Sequence, residues 1–199
     1  MKMTDKAKIE NVATAIYSKH CKKGSPAKML PKIIAAEKIK LREIDGGERF
    51  LGAFYKSSKT GELYILVNEN IDNVGRKNFT LSHELGHFAL MHYLHTISFF
   101  CTESHIKEEG DANLDQEKEA NYFASCFLLP KEKIKKAFMR HLQWRTKDNK
   151  IEFLSVPSPH GKIYSNWKAI SSNLMKDYQV SEVALKIRLT ELCLAKFDF

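Results

Sequence analysis

Asn73-Val74-Gly75-Arg76-Lys77-Asn78-Phe79-Thr80-Leu81-Ser82-His83-Glu84-Leu85-Gly86-His87-Phe88-Ala89-Leu90 is the stretch on which the reading of this chain turns. Phe79, Leu81, Leu85, Phe88, Ala89 and Leu94 recur at helical spacing, and Asp72 or Asn73 offers an N-cap, so a helix is expected from about Asn73 to His95. Side chains four apart on a helix lie one above the other. His83 and His87 can therefore present two imidazoles to one tetrahedral ion, and the H-E-x-x-H spacing suits Zn2+. Glu84 leaves the helix at another angle, where it can act as general base on a zinc-activated water without ligating the ion. Gly86 costs roughly 1 kcal/mol against alanine in a helix interior, which implies that something approaches the backbone there.

A catalytic zinc needs a third protein ligand and an open position. Working outward, the next strong helix runs from about Asp115 to Leu129 and is stopped by Pro130. Ala120, Phe123, Ala124, Phe127 and Leu128 mark its buried side. At helical spacing Glu117 falls roughly 50° from the centre of that stripe and Glu119 roughly 110°. Glu117 is the favoured third ligand, with Glu119, Asp115 and Asp111 as alternatives. Asn121 lies one turn above Glu117, placed to accept the second ring N–H of a ligating histidine.

The first forty residues read as two helices, the second with Pro31 in its first turn. Lys38 to Ile44, Phe50 to Tyr55 and Leu63 to Val67 then read as a meander of three short strands, separated by Asp45-Gly46-Gly47 and by Ser57 to Gly61. Between Thr96 and Asp115 the pattern lapses, and Gly110 to Asn113 looks like loop. Lys131 to Gln143 is helical, Arg145 to Gly161 irregular, and Ile163 to Phe197 helical again, split near Tyr178 with Ser181 as a cap. The fold class is α+β: a small antiparallel or mixed three-stranded sheet on a zinc-binding helical core, gluzincin-like, with a helical C-terminal tail. The division expected is residues 1–140 for the core and 141–199 for the tail.

The 199 residues suffice for one sizeable core. The 32 Lys and Arg against 24 Asp and Glu are spread along the chain, so nucleic acid as a partner is allowed but not favoured. Cys21, Cys101, Cys126 and Cys193 form no C-x-x-C pair, which argues against a thiolate metal site and points to a reducing cytoplasm. No apolar run reaches the roughly 18 residues of a membrane span.

Phe79 to His87, followed by Glu117-Lys118-Glu119-Ala120-Asn121-Tyr122-Phe123-Ala124-Ser125-Cys126-Phe127-Leu128-Leu129-Pro130, resembles the two ordered blocks of the ImmA/IrrE family of zinc metallopeptidases. Val180 to Leu194 resembles that family's helical tail. The resemblance implies two N-terminal helices, a small sheet and a zinc helix, and cleavage of a partner transcriptional repressor. It carries the metal roles onto His83, His87 and Glu117 and the base role onto Glu84. No fused repressor domain is read at the N-terminus, so such a substrate is expected to be separately encoded, repressor or antitoxin-like. His141 to Tyr164 has no counterpart in the family, which leaves His160, Tyr93, Tyr122 and Tyr164 as candidates for stabilising the transition state. Two other functions compete: a non-proteolytic zinc-containing regulator that binds DNA or protein through Lys176, Lys186 and Arg188, and a metal-dependent hydrolase of a small molecule.

Overall fold

The computed structural model describes residues 3–21, 24–94, 98–102 and 112–199. The chain divides into two compact units, Met1–Leu128 and Leu129–Phe199.

The first unit opens with α1 (Met3–His20), a 3-10 turn over Pro26–Met29 and α2 (Leu30–Ala36), whose first turn holds Pro31 where a missing N–H costs nothing. Three strands follow, β1 (Ile39–Ile44), β2 (Phe50–Lys56) and β3 (Leu63–Asn68), then α3 (Val74–Ala89), a 3-10 turn at His92–Leu94, β4 (Ser98–Thr102) and α4 (Ala112–Leu128). The α+β class with a mixed sheet is as expected, and a fourth strand joins the three. The sheet order is β1-β3-β2-β4.

It is not a meander. β2 turns back on β3 through Ser57 to Gly61, where Gly61 N donates to Ser57 O, Ser57 N donates to Glu62 O and Gly61 takes φ +70°. β1, however, pairs with the far side of β3, in parallel from Ile39↔Leu63 to Ile44↔Asn68. The buried Asn68 side chain explains the crossover, because its Nδ2 donates to Gly47 O at 2.6 Å and Phe50 O at 2.8 Å. Those bonds hold the Asp45-Gly46-Gly47 connection across the end of β3 rather than as a hairpin between β1 and β2. β4 pairs antiparallel with β2 inside the stretch that shows no helical periodicity.

α3 covers β2 and β3, and α4 packs against both α3 and α1. Leu85, Phe54, Ile65, Val67, Ala120, Phe123, Ala124 and Phe127 are buried in that layer. The α3 N-cap is Asn73, whose side chain accepts from Arg76 N at 2.9 Å. The helix stops at Ala89 rather than His95, because Met91 enters the left-handed region at φ +59° and breaks the hydrogen-bond ladder. α4 begins at Ala112, a turn before Asp115; residues 110 and 111 of the expected loop lie outside the described residues.

The second unit contains α5 (Lys131–Thr146), β5 (Leu154–Val156), α6 (Gly161–Tyr178), α7 (Glu182–Glu191) and β6 (Ala195–Phe197). Residue 140, the expected point of division, lies within α5. The Arg145–Gly161 stretch contains the last turn of α5 and β5, and the tail ends in a strand: β6 pairs in parallel with β5. Ser181 caps α7 by accepting from Ala184 N, after Gln179 ends α6 with φ +53°. Buried Trp167 donates to Glu182 Oε1 at 2.9 Å, and buried Arg188 donates from Nε to Leu129 O at 3.2 Å.

Candidate metal centre

The helical register of α3 stacks His83 over His87, and both rings are buried. Their Nε2 atoms stand 3.0 Å apart, with ring centroids 4.7 Å apart. α4 supplies the third group: Glu117 Oε2 is 3.0 Å from His83 Nε2, and Oε1 is 3.3 Å from His87 Nε2.

The approach of the two helices depends on Gly86. A Cβ there would stand 3.2 Å from Ala120 Cα and 3.3 Å from Ala120 O, with Phe123 at 3.0 Å. The backbone of α4 is thus the close neighbour that the glycine implied, and this contact lies one turn from Glu117.

Among the described residues, His83, His87 and Glu117 form a set that could hold a metal ion, their ligand atoms all lying within 4.8 Å of one another. Tetrahedral bonds of 2.0–2.1 Å put neighbouring ligand atoms about 3.3 Å apart. The separations of 3.0, 3.0 and 3.3 Å therefore need only small adjustment around an ion. Two imidazole nitrogens and a carboxylate are a donor set that suits zinc.

The charges point the same way. Burial pulls against ionisation of Glu117, but the His83 hydrogen bond, with the His87 ring beside it, outweighs it and holds its carboxyl well below the usual carboxylate range. Burial likewise opposes protonation of His83, yet the Glu117 hydrogen bond and the charges of Glu84 and Glu117 raise it above its ordinary value. Burial drives His87 down to about 4, with the charges of His83 and His92 in support, so this ring is neutral. The trio thus pairs an acid held in its ionised form with one neutral imidazole, and a cation would compete with the proton that the His83 surroundings favour.

Glu84 is fully buried, and neither carboxylate oxygen has a well-formed hydrogen bond. Burial raises it to about 8, and the nearby Glu117 charge adds to the rise. An orphaned buried carboxylate is costly unless a cation or a water serves it. A cation held by His83, His87 and Glu117 would meet that need. Gly52 in β2 makes room for this side chain: a Cβ there would fall 2.7 Å from Thr80 Cγ2 and 3.1 Å from Glu84 Oε1.

Asn121 Oδ1 lies 3.0 Å from His83 Nδ1, in position to accept that N–H and leave Nε2 facing the cluster. Of the alternative ligands, Glu119 is turned toward His92, with Oε2 3.1 Å from its Nε2. Asp115 is largely exposed beside Lys118, and Asp111 lies outside the described residues. The four remaining candidates have other neighbours. Tyr93 packs on Phe54 and Phe88, Tyr122 lies under Lys6, Tyr164 meets Phe199, and His160 is the exposed residue preceding α6.

His92, to which no spacing in the sequence assigns a role, is buried with its Nδ1 2.9 Å from His87 Nδ1. A helix continued to His95 would carry His92 about 140° around from His87. The left-handed Met91 and the 3-10 turn fold it back instead. Only recognition that α3 ends before Met91 would have revealed it.

No curated protein matches the chain. The profile of the IrrE N-terminal-like domain, a peptidase family, matches residues 35–190, well over half of the sequence and both motif blocks, and the chain belongs to that family.

Proposed function

We propose that this chain is a zinc-dependent endopeptidase that cuts a specific protein partner, a separately encoded transcriptional repressor or antitoxin-like protein, in the cytoplasm. The observation that carries the reading is the meeting of three ligand atoms from α3 and α4 beside a buried carboxyl that lacks a well-formed hydrogen bond. Zinc held by His83 Nε2, His87 Nε2 and Glu117 would supply the Lewis acidity that makes water a competent nucleophile near neutral pH. Asn121 orients the His83 ring. Glu84 takes a proton from the attacking water onto its carboxylate and gives it to the amine leaving group. Burial keeps that proton from escaping to solvent between the two transfers.

A protein substrate follows from the peptidase family. β4 supports an extended segment of it, because β4 lies at the sheet edge and pairs with β2 at Gly52, the residue beneath Glu84. An edge strand offers backbone groups to which an extended peptide can add, and a small-molecule substrate makes no use of them. The repressor class rests on the likeness of the two motif blocks to the ImmA/IrrE family.

The regulator reading finds less support. Arg188 is buried, and Lys186 is held by Glu182 at 3.6 Å and lies 4.4 Å from the Phe199 ring centroid. Only Lys176 of the three stands exposed. Among the described residues, no helix is long and apolar enough to cross a membrane.

The test is metal analysis together with incubation against the product of a neighbouring repressor gene. Wild type is expected to cut with zinc bound, Glu84→Gln to retain zinc without cutting, and His83→Ala or His87→Ala to lose both. Undiminished cutting by Glu84→Gln refutes the assigned base.

A further inference from the structure

His92 is buried beside the metal centre, yet it belongs neither to the three candidate ligands nor to the proton path through Glu84. Its two ring nitrogens touch different groups: Nδ1 lies 2.9 Å from His87 Nδ1, and Nε2 lies 3.1 Å from Glu119 Oε2. Each contact constrains the next. An ionised carboxylate only accepts, so the proton between His92 and Glu119 belongs to His92 Nε2. Neutral His92 then has an unprotonated Nδ1, and the 2.9 Å contact forms only if His87 donates from its own Nδ1. His87 Nε2 is left unprotonated, facing Glu117 Oε1 at 3.3 Å and His83 Nε2 at 3.0 Å. That is the tautomer a metal requires.

We infer that His92 and Glu119 are positioning residues, a His–carboxylate pair that fixes His87 as its Nδ1–H tautomer and aims its Nε2 into the metal centre. The inference rests on the proposed ligand role of His87. The two stacked histidines are thereby set by different devices, an amide oxygen for His83 and an imidazole backed by a carboxylate for His87. The hydrogen-bonded chain joins α3, the turn after it and α4, so the turn that ends α3 at Met91 also completes the site.

The experiment uses the full chain labelled with 15N-histidine, with proton–nitrogen correlation spectra of chelated protein and zinc titration of each variant. Chelated wild type should show His87 protonated at Nδ1. His92→Leu should lose that signature and weaken zinc binding by about 10- to 100-fold. His92→Asn, whose Oδ1 can still accept from His87 Nδ1, should restore both to near wild type. Glu119→Ala should weaken zinc in the same direction, and it carries the test should His92→Leu fail to fold by circular dichroism. His87 found protonated at Nε2 in the chelated wild type overturns the inference, as does equal zinc affinity in His92→Leu and His92→Asn, or wild-type affinity in Glu119→Ala. A wild type that keeps the Nδ1–H signature but takes up no zinc supports the relay and overturns the zinc reading instead.

Discussion

Glu84 and Gly52 show how single positions set the chemistry of this molecule. Glu84 is buried and raised to about 8 without a metal, whereas an unfolded chain returns it to roughly 4.3. A folded-state value above the unfolded one means that the protonated form is favoured by folding. Its contribution is therefore complete below about pH 4.3 and is lost as pH rises toward 8, each pH unit in that window removing about 1.4 kcal/mol. Glu84→Gln cannot ionise. Urea unfolding in chelator should accordingly show the variant gaining on wild type between pH 5 and pH 8; parallel curves would contradict the burial argument. Gly52→Ala places a methyl against Thr80 and Glu84 Oε1, so it should displace the base while leaving the ligands on α3 and α4. Cleavage should drop by about 10- to 100-fold at unchanged zinc content. At this scale the sequence was legible where one helix sets the geometry. His83, Glu84 and His87 follow from a local period, and Glu117 from the apolar stripe of α4. His92 was hidden because its place depends on a left-handed residue at Met91, which no periodicity announces.

Between elements, the contact that matters most is that of α3 with α4. Gly86 lets the Ala120 backbone come close, and the same approach brings Glu117 to the histidine pair. Gly86→Ala gains about 1 kcal/mol of helix propensity, but overpacking against a backbone that cannot rotate away costs about 1–3 kcal/mol. The net expectation is a lower Tm in chelator and weaker zinc binding, both measurable by thermal melts with and without metal. A more stable variant with unchanged affinity would show that the helices do not need this approach. The helices and their caps at Asn73 and Ser181 were readable because capping and amphipathic periods are local signals. Strand order was not. The parallel β1–β3 pairing depends on Asn68 reaching Gly47 and Phe50 across the sheet, a contact 18 to 21 residues apart in sequence. β4 is not announced by periodicity although Ser98-Phe99-Phe100-Cys101-Thr102 has a strand-like composition, because five residues are too few to show a period. β6, three residues long, is indistinguishable in sequence from the helical tail for the same reason.

For the whole molecule, a metal at this site would link chemistry to stability. The three candidate ligands come from two helices of the first unit, so zinc held by them would bind the folded chain and not the unfolded one, stabilising it by about 2.7 kcal/mol at a hundred times Kd. Denaturant titrations at stepped free zinc should show that logarithmic rise in wild type and none in Glu117→Ala. A cation would compete with a proton at His83, whose affinity for it is raised by Glu117, so zinc binding should strengthen as pH rises through and above the ordinary imidazole range. The excess of basic residues does not redirect this picture toward nucleic acid, since Arg188 and Lys186 of the tail are engaged within their own unit. X-ray absorption at the zinc edge of the purified full chain tests the central claim most directly. It should show one zinc per chain with two imidazole nitrogens and oxygen at about 2.0–2.2 Å. A protein that takes up no zinc, a sulfur shell at about 2.3 Å, or an unaltered spectrum in Glu117→Ala would contradict it.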